Sequence, residues 1–239
     1  MSDGFPSKPR ILRGAFVEFG LSLPPLFVVF QFNPVQLTRN RGLTFAVPGT
    51  PGQQPGGGQA PAALPRTLRQ FHGEVDNLLD LQKKQLVTVG EQTIGFDIRL
   101  DATDKLDEGD ALTEQFGIAP QLSTLELMVY PKSESLLGRA VDRLLGKPKG
   151  FSFTRSTNPP LILFVFGRKR VLPVNITSMN ITETEFSADL NPIRATVGVN
   201  LTVIEGNSVP YLYSKAMTEA MSVLNLASVA DIANVAVPG

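Results

Sequence analysis

The densest group of potential ligands in this 239-residue chain is the carboxylate run Asp101, Asp104, Asp107, Glu108 and Asp110. A calcium loop needs oxygen donors at alternating positions and glycine at the sixth. Thr103 and Lys105 occupy the alternate positions counted from Asp101, and Leu106 breaks the series counted from Asp104. The run therefore reads as a solvated strand-to-helix corner whose carboxylates cap the helix. Residues 48–65, PGTPGQQPGGGQAPAALP, are rich in glycine, but a phosphate cradle needs G-x-G-x-x-G or G-x-x-x-x-G-K-[ST]. Neither pattern occurs, and Gly146-Lys147 is followed by Pro148. His72 is the single histidine; there is no cysteine and no G-x-S-x-G turn to supply it with a nucleophile. Arg168-Lys169-Arg170 is a weak electrostatic footprint with no aromatic platform between the charges. It reads as a solvated turn or as one side of an ion pair between subunits. The sequons at Asn180 and Asn200 fall in strands, where glycosylation is not expected. No catalytic, metal or cofactor residue is assigned, and the chain is not expected to be an enzyme.

Composition sets wider bounds. Lys+Arg and Asp+Glu are both 22, so the formal net charge is zero. Neutrality favours association and argues against binding nucleic acid through a broad basic surface. Without cysteine, disulfides and thiolate metal sites are excluded. No apolar run follows the first charged residues, and Leu21–Phe32 and Leu161–Phe166 are too short or broken to span a bilayer. Synthesis and assembly in the cytoplasm, with no direct membrane insertion, are expected.

The elements that must position these residues are mostly strands. Leu12–Phe19, Phe27–Phe32 and Leu37–Val47 are candidate strands, with Asn33-Pro34 ending the second because proline lacks an N–H donor. Helical spacing suggests one helix over about Glu74–Leu86. Ile94, Phe96, Ile98 and Leu100 alternate along Thr93–Ala102, the mark of a half-buried strand. Helices are expected from Asp107 to Pro131 and again over 132–147. Leu161–Phe166 is apolar on both faces and reads as a central strand. Val171–Ile176, Met179–Ala188 and Ile193–Ile204 follow as separate strands, then weakly helical segments after Pro210 that would dock on a neighbour or fray. Most of the fifteen phenylalanines are expected in the core, the remainder in subunit interfaces. The pattern is mainly β with packed helices, an α+β chain. Its parts are a flexible tail over 1–9, one domain over 10–209 with insertions at 48–65 and 132–147, and an extension over 210–239.

Several blocks, taken in order, carry a family resemblance: FVEF (Phe16–Phe19), FQFNPVQLTR, FDIRLDATDKLDEGD (Phe96–Asp110), GIAPQLSTLELMVYP (Gly117–Pro131), and the stretch from Asn158 through NPIRA to Thr202. Together they resemble the inner-tube and tube-initiator proteins of contractile injection systems. The resemblance implies a tube-like β-barrel or sandwich, and copies arranged as a homo-oligomer, usually a hexameric ring. It also implies partners in a spike or hub protein, an inner-tube protein and baseplate proteins, inside a phage tail-like particle that is released or membrane-anchored. The insertions and the C-terminal extension favour a tube initiator or baseplate hub adaptor over a main inner-tube layer. Related initiators often carry a LysM module; the thirty residues after Val209 leave no room for one, which puts a clamp role in doubt. Phe30, Phe32, Asn33 and Pro34 would shape the first corner, and Gly167, Pro192 and Arg194 the later ones, as structural positions. A non-catalytic ligand-binding β-barrel is the alternative outside the family; the lack of tryptophan and the three tyrosines weaken it.

Overall fold

A computed structural model describes residues 12–20, 26–47, 67–131 and 158–225. The expectations for 1–9, 48–65 and 132–147, and for the extension beyond 225, lie outside the described residues. In chain order the elements are β1 (Ala15–Glu18), β2 (Phe27–Val29), β3 (Leu37–Ala46), α1 (Leu68–Gly73), α2 (Leu78–Lys84) and β4 (Leu86–Asp101). Then come α3 (Thr103–Asp107), α4 (Ala111–Phe116), α5 (Ala119–Leu127), β5 (Ile162–Val165), β6 (Val171–Phe186), β7 (Pro192–Val203) and α6 (Val209–Leu224). The strands form one antiparallel seven-stranded sheet in the order β2-β1-β5-β6-β7-β4-β3. The fold is mainly β with packed helices, as the alternating patterns require.

The chain divides into two compact units, one of residues 40–92 and one of the residues on either side. In the larger unit, alternation decides the core. Ile94, Phe96, Ile98 and Leu100 are buried, and so are their cross-strand partners on β7, among them Val197, Val199 and Leu201. Aromatic rings hold the sheet's inner face together. Phe96 lies 5.2 Å from Phe164 between ring centres, and Phe16 lies 5.2 Å from Phe30 edge to face. Phe96 is on β4 and Phe164 on β5, three places apart in the sheet order. Flat strands are about 4.8 Å apart, so rings that touch across three places require a strongly curved sheet.

Long β6 carries register shifts between Ile176 and Ser178 and near Glu185. These bulges let the strand bend while its pairing with β7 continues. This corrects the expectation of two strands broken near residue 177. β5 is interior, between β1 and β6, but only Ile162 and Phe164 on its inner face are fully buried. Helix α6 packs on β6, where the Ser214 hydroxyl accepts from Val171 N–H at 2.9 Å and donates to Val171 carbonyl at 2.7 Å. The described part of the extension is therefore docked on its own chain.

The smaller unit contains the 40–46 part of β3, α1, α2 and the 86–92 part of β4. Helix α2 lies inside the span expected for a helix, Glu74–Leu86, but is shorter, and α1 precedes that span and was not expected. Thr67 and Gln70 form a reciprocal capping box that starts α1, and the Asn77 side chain accepts from Leu79 N–H to start α2. Two strong caps ten residues apart cannot serve one continuous helix. Gln85 is extended and leads into β4.

The expectation that most phenylalanines lie in the core does not hold among the described residues. Among the twelve described, Phe16, Phe30, Phe71, Phe96 and Phe164 are buried, whereas Phe19, Phe27, Phe32, Phe45, Phe116 and Phe186 are exposed. Period-two alternation sends neighbours on one strand to opposite faces, so aromatic content alone cannot report burial.

Candidate assembly site

The corner where β4, β6 and β7 end is organised by Arg194. It stands in β7 opposite Asp101 of β4 and Glu185 of β6, so both neighbouring strands present it with a carboxylate. Its Nε donates to Asp101 Oδ2 at 2.7 Å, its Nη1 to Glu185 Oε1 at 2.7 Å, and its Nη2 to Thr103 Oγ1 at 3.2 Å. These hydrogen bonds to Asp101 and Glu185 raise the guanidinium above its ordinary range. Partial burial alone would raise the Asp101 pKa. Hydrogen bonds from the Thr103 side chain and backbone, with Arg194, outweigh it and hold the carboxyl below its ordinary value. Asp101 is thus charged near neutral pH with its oxygens engaged, which suits a fastening and not proton transfer.

The FQFNP corner is tied to the same place. Gln31 Oε1 accepts from Asp101 N–H at 2.8 Å and Gln31 Nε2 donates to Asp101 carbonyl at 2.7 Å, so a side-chain amide pairs with the strand as a backbone would. Asn33 Oδ1 accepts from Gly14 N–H at 2.9 Å and Asn33 Nδ2 donates to Leu12 carbonyl at 2.8 Å. Phe30 lies beneath in the core. Phe32, Asn33, Pro34, Asp101 and Arg194 share the lining of one open groove of about 1520 Å³.

Pro192 opens β7 beside this corner. Its carbonyl accepts from Ile118 N–H at 2.9 Å and lies against Gly117, where a Cβ would collide with it. Gly117 has φ 57°, a second reason for glycine there. Gly167 stands apart, in the β5–β6 turn with φ 71°. Of the seven residues singled out from the sequence, the structure brings Phe32, Asn33, Pro34 and Arg194 to one groove. It sets Phe30 below them, Pro192 beside them and Gly167 elsewhere.

The acidic run caps one helix, α4, through Asp110, whereas α3 has Ala102 at its N-cap with no side-chain cap and Asp101 bonds just ahead of it. Asp101 accepts from Thr103 N–H at 2.8 Å, and Asp110 accepts from the N–H and hydroxyl of Thr113. Those bonds lower the Asp110 pKa. Among the described residues no group of three or more His, Cys, Asp or Glu is placed to hold a metal ion. No helix among them is long and apolar enough to cross a membrane. His72 is exposed at the end of α1, its Nε2 3.3 Å from the Gln85 amide nitrogen. The basic turn is less solvated than expected, because Arg170 is half-buried over the Phe166 ring at 5.7 Å and Tyr213 Oη donates to Arg168 carbonyl at 2.8 Å. Gln31, Glu185 and Ser214 were not foreseen, and Asp101 was read as a corner carboxylate without its pairing to Arg194; the Asp-x-Thr spacing at Asp101 was the one visible signal, as a turn of that type bonds the backbone two residues on. Neither protein-family models nor curated protein sequences match this chain.

Proposed function

We propose that this chain is a structural subunit of a contractile injection system, an inner-tube initiator or baseplate hub adaptor linking spike to tube. Its curved sheet would be the barrel or sandwich of such proteins, and neighbouring copies would complete it in a ring, without catalysis. The observation that carries this reading is the pair of open sheet borders. β5 covers only Val171–Val174 of β6, so the outer side of β6 from Thr177 to Phe186 has no strand partner among the described residues. β3, ten residues long, is the other edge, with Leu43 and Phe45 exposed on it. Long bare edges invite pairing with another chain, and a monomer normally shields them. In a chain of zero net charge, edge-to-edge pairing of copies is the economical use. A main inner-tube layer would use the same borders.

Electron microscopy of particles made with and without this chain tests the proposal. Loss of tubes, with spike complexes left bare, is expected; normal particles would sink it. Disrupting the Asn191–Arg194 corner should likewise block assembly while the chain is still expressed. The open groove favours a second reading, a ligand-binding β-barrel. Sizing the purified protein separates the two, since a binding module stays monomeric.

A further inference from the structure

The β6–β7 hairpin closes through Leu190 at φ 62°, a left-handed conformation rarely taken by leucine. The side chain is 79% exposed. Glycine or asparagine would hold the same turn without strain and without apolar surface in water. Leucine is thus disfavoured twice in an isolated chain. It is not alone at that end. Asn191 Nδ2 donates to Gln115 carbonyl at 2.8 Å, which brings the end of α4 against the hairpin tip. Leu112 and Phe116 of α4 and Phe186 of β6 are exposed there too. The charges bordering this apolar end are mainly acidic, Glu114 and Asp189 with the α3 carboxylates; of the opposing charges, Arg194 is paired with Asp101 and Glu185, and Lys105 lies near Asp110.

The opposite end of β6 is its counterpart. Sixteen residues of strand separate the two, roughly 50 Å along the chain. Here the Arg168-Lys169-Arg170 turn meets α6, through Tyr213 Oη on Arg168 carbonyl near the start of the helix and Lys169 Nζ 3.1 Å from Met221 Sδ in its last turn. Leu212 and Tyr213 are exposed. Arg168 and Arg170 have no ion pair among the described residues, and Arg39 of β3 adds a like charge near Arg170. Burial, then Arg39, lowers the Arg170 guanidinium from its ordinary range. Glu205 and Glu219 are the opposing charges nearby.

We propose that these ends meet between two copies of this chain: the apolar, acid-bordered tip around Leu190 seats on the apolar, basic surface formed by the β5–β6 turn and the start of α6. The contact is head-to-tail, because the complementary surfaces lie at opposite ends of one strand. It rests on the reading of the chain as an assembling subunit, but it uses neither sheet border.

Two charge-reversed full-length chains test it. One carries Glu114→Lys and Asp189→Lys, the other Arg168→Glu and Lys169→Glu. Each alone has two ends of the same sign and should self-associate at least about tenfold more weakly in sedimentation. An equimolar mixture can alternate and should recover the parent's association. Leu190→Gly should melt at or above the parent temperature, since the strain is removed, yet associate more weakly. A merely structural leucine would not separate those readouts. Reversed chains that associate like the parent, or a mixture that recovers nothing, would overturn the contact. If rings form regardless of the reversals, the ring proposal stands and this one falls. If the mixture recovers but closed rings never form, the outcome is the opposite.

Discussion

At the scale of single residues, the corner is held by groups whose charge state is fixed by what touches them. Asp101 has a lowered pKa because hydrogen bonds from Thr103 and Arg194 outweigh its partial burial. A carboxyl lowered in the fold adds stability that is fully present above its unfolded value, near 3.8 here, and is lost as the pH falls through the folded value. Asp110 shifts in the same direction through Thr113. Thermal melts should therefore be flat from about pH 7 to 5 and fall below about pH 4, the window set by these depressed carboxyls. Asp101→Asn should give a shallower acid limb; an unchanged limb would show that the Arg194 fastening contributes nothing. Gly117 is a backbone case. Its positive φ and the Pro192 carbonyl beside it leave no room for a side chain. Gly117→Ala should destabilise the larger unit by about 2 kcal/mol or more, read as a lower urea midpoint at unchanged slope.

At the scale of elements, one buried hydroxyl joins helix α6 to the sheet. Ser214 completes both polar groups of Val171 where β6 begins, and it is buried. Ser214→Ala would leave an N–H and a carbonyl without partners and should cost about 1–3 kcal/mol. Hydrogen exchange should quicken at Val171 and in the first turns of α6; protection equal to the parent's would mean that the helix is held otherwise. This junction was invisible in the sequence, because Ser214 and Val171 are 43 residues apart and nothing periodic links them. What the sequence did reveal was local. The alternation of Ile94 to Leu100 fixed both the strand and its buried face, since a period of two has one consistent reading. The capping box at Thr67–Gln70 is equally local, but apolar spacing alone did not point to it, and α1 was missed. The continuity of β6 escaped detection because a bulge adds a residue without ending the ladder. Arg194 was singled out as a corner residue, but its carboxylates come from two other strands, one of them 93 positions away. Partners of that kind are set by strand order, which composition and spacing do not encode.

At the scale of the whole molecule, two kinds of contact are proposed, and they differ in how they respond to salt. Edge pairing between sheets rests on backbone hydrogen bonds and apolar cover, which added salt scarcely weakens. The head-to-tail contact depends on exposed charges of opposite sign, and screening shortens their reach from about 10 Å at 0.1 M to about 3 Å at 1 M ionic strength. Raising sodium chloride from about 0.05 M to about 1 M should therefore remove the end-to-end contact first and leave closed rings intact. Guarding the open border of β6 should do the reverse. Asn180→Lys with Thr182→Lys places charges on exposed positions of that edge, the device by which natural edge strands resist pairing. This variant should melt within a few degrees of the parent, because surface changes cost about 0.5 kcal/mol or less. It should form no rings at any salt concentration, while head-to-tail pairs persist at low salt. Rings in the lysine variant would mean that the β6 border is not the seam. Loss of rings and end-to-end pairs at one common salt concentration would mean that a single surface makes both contacts.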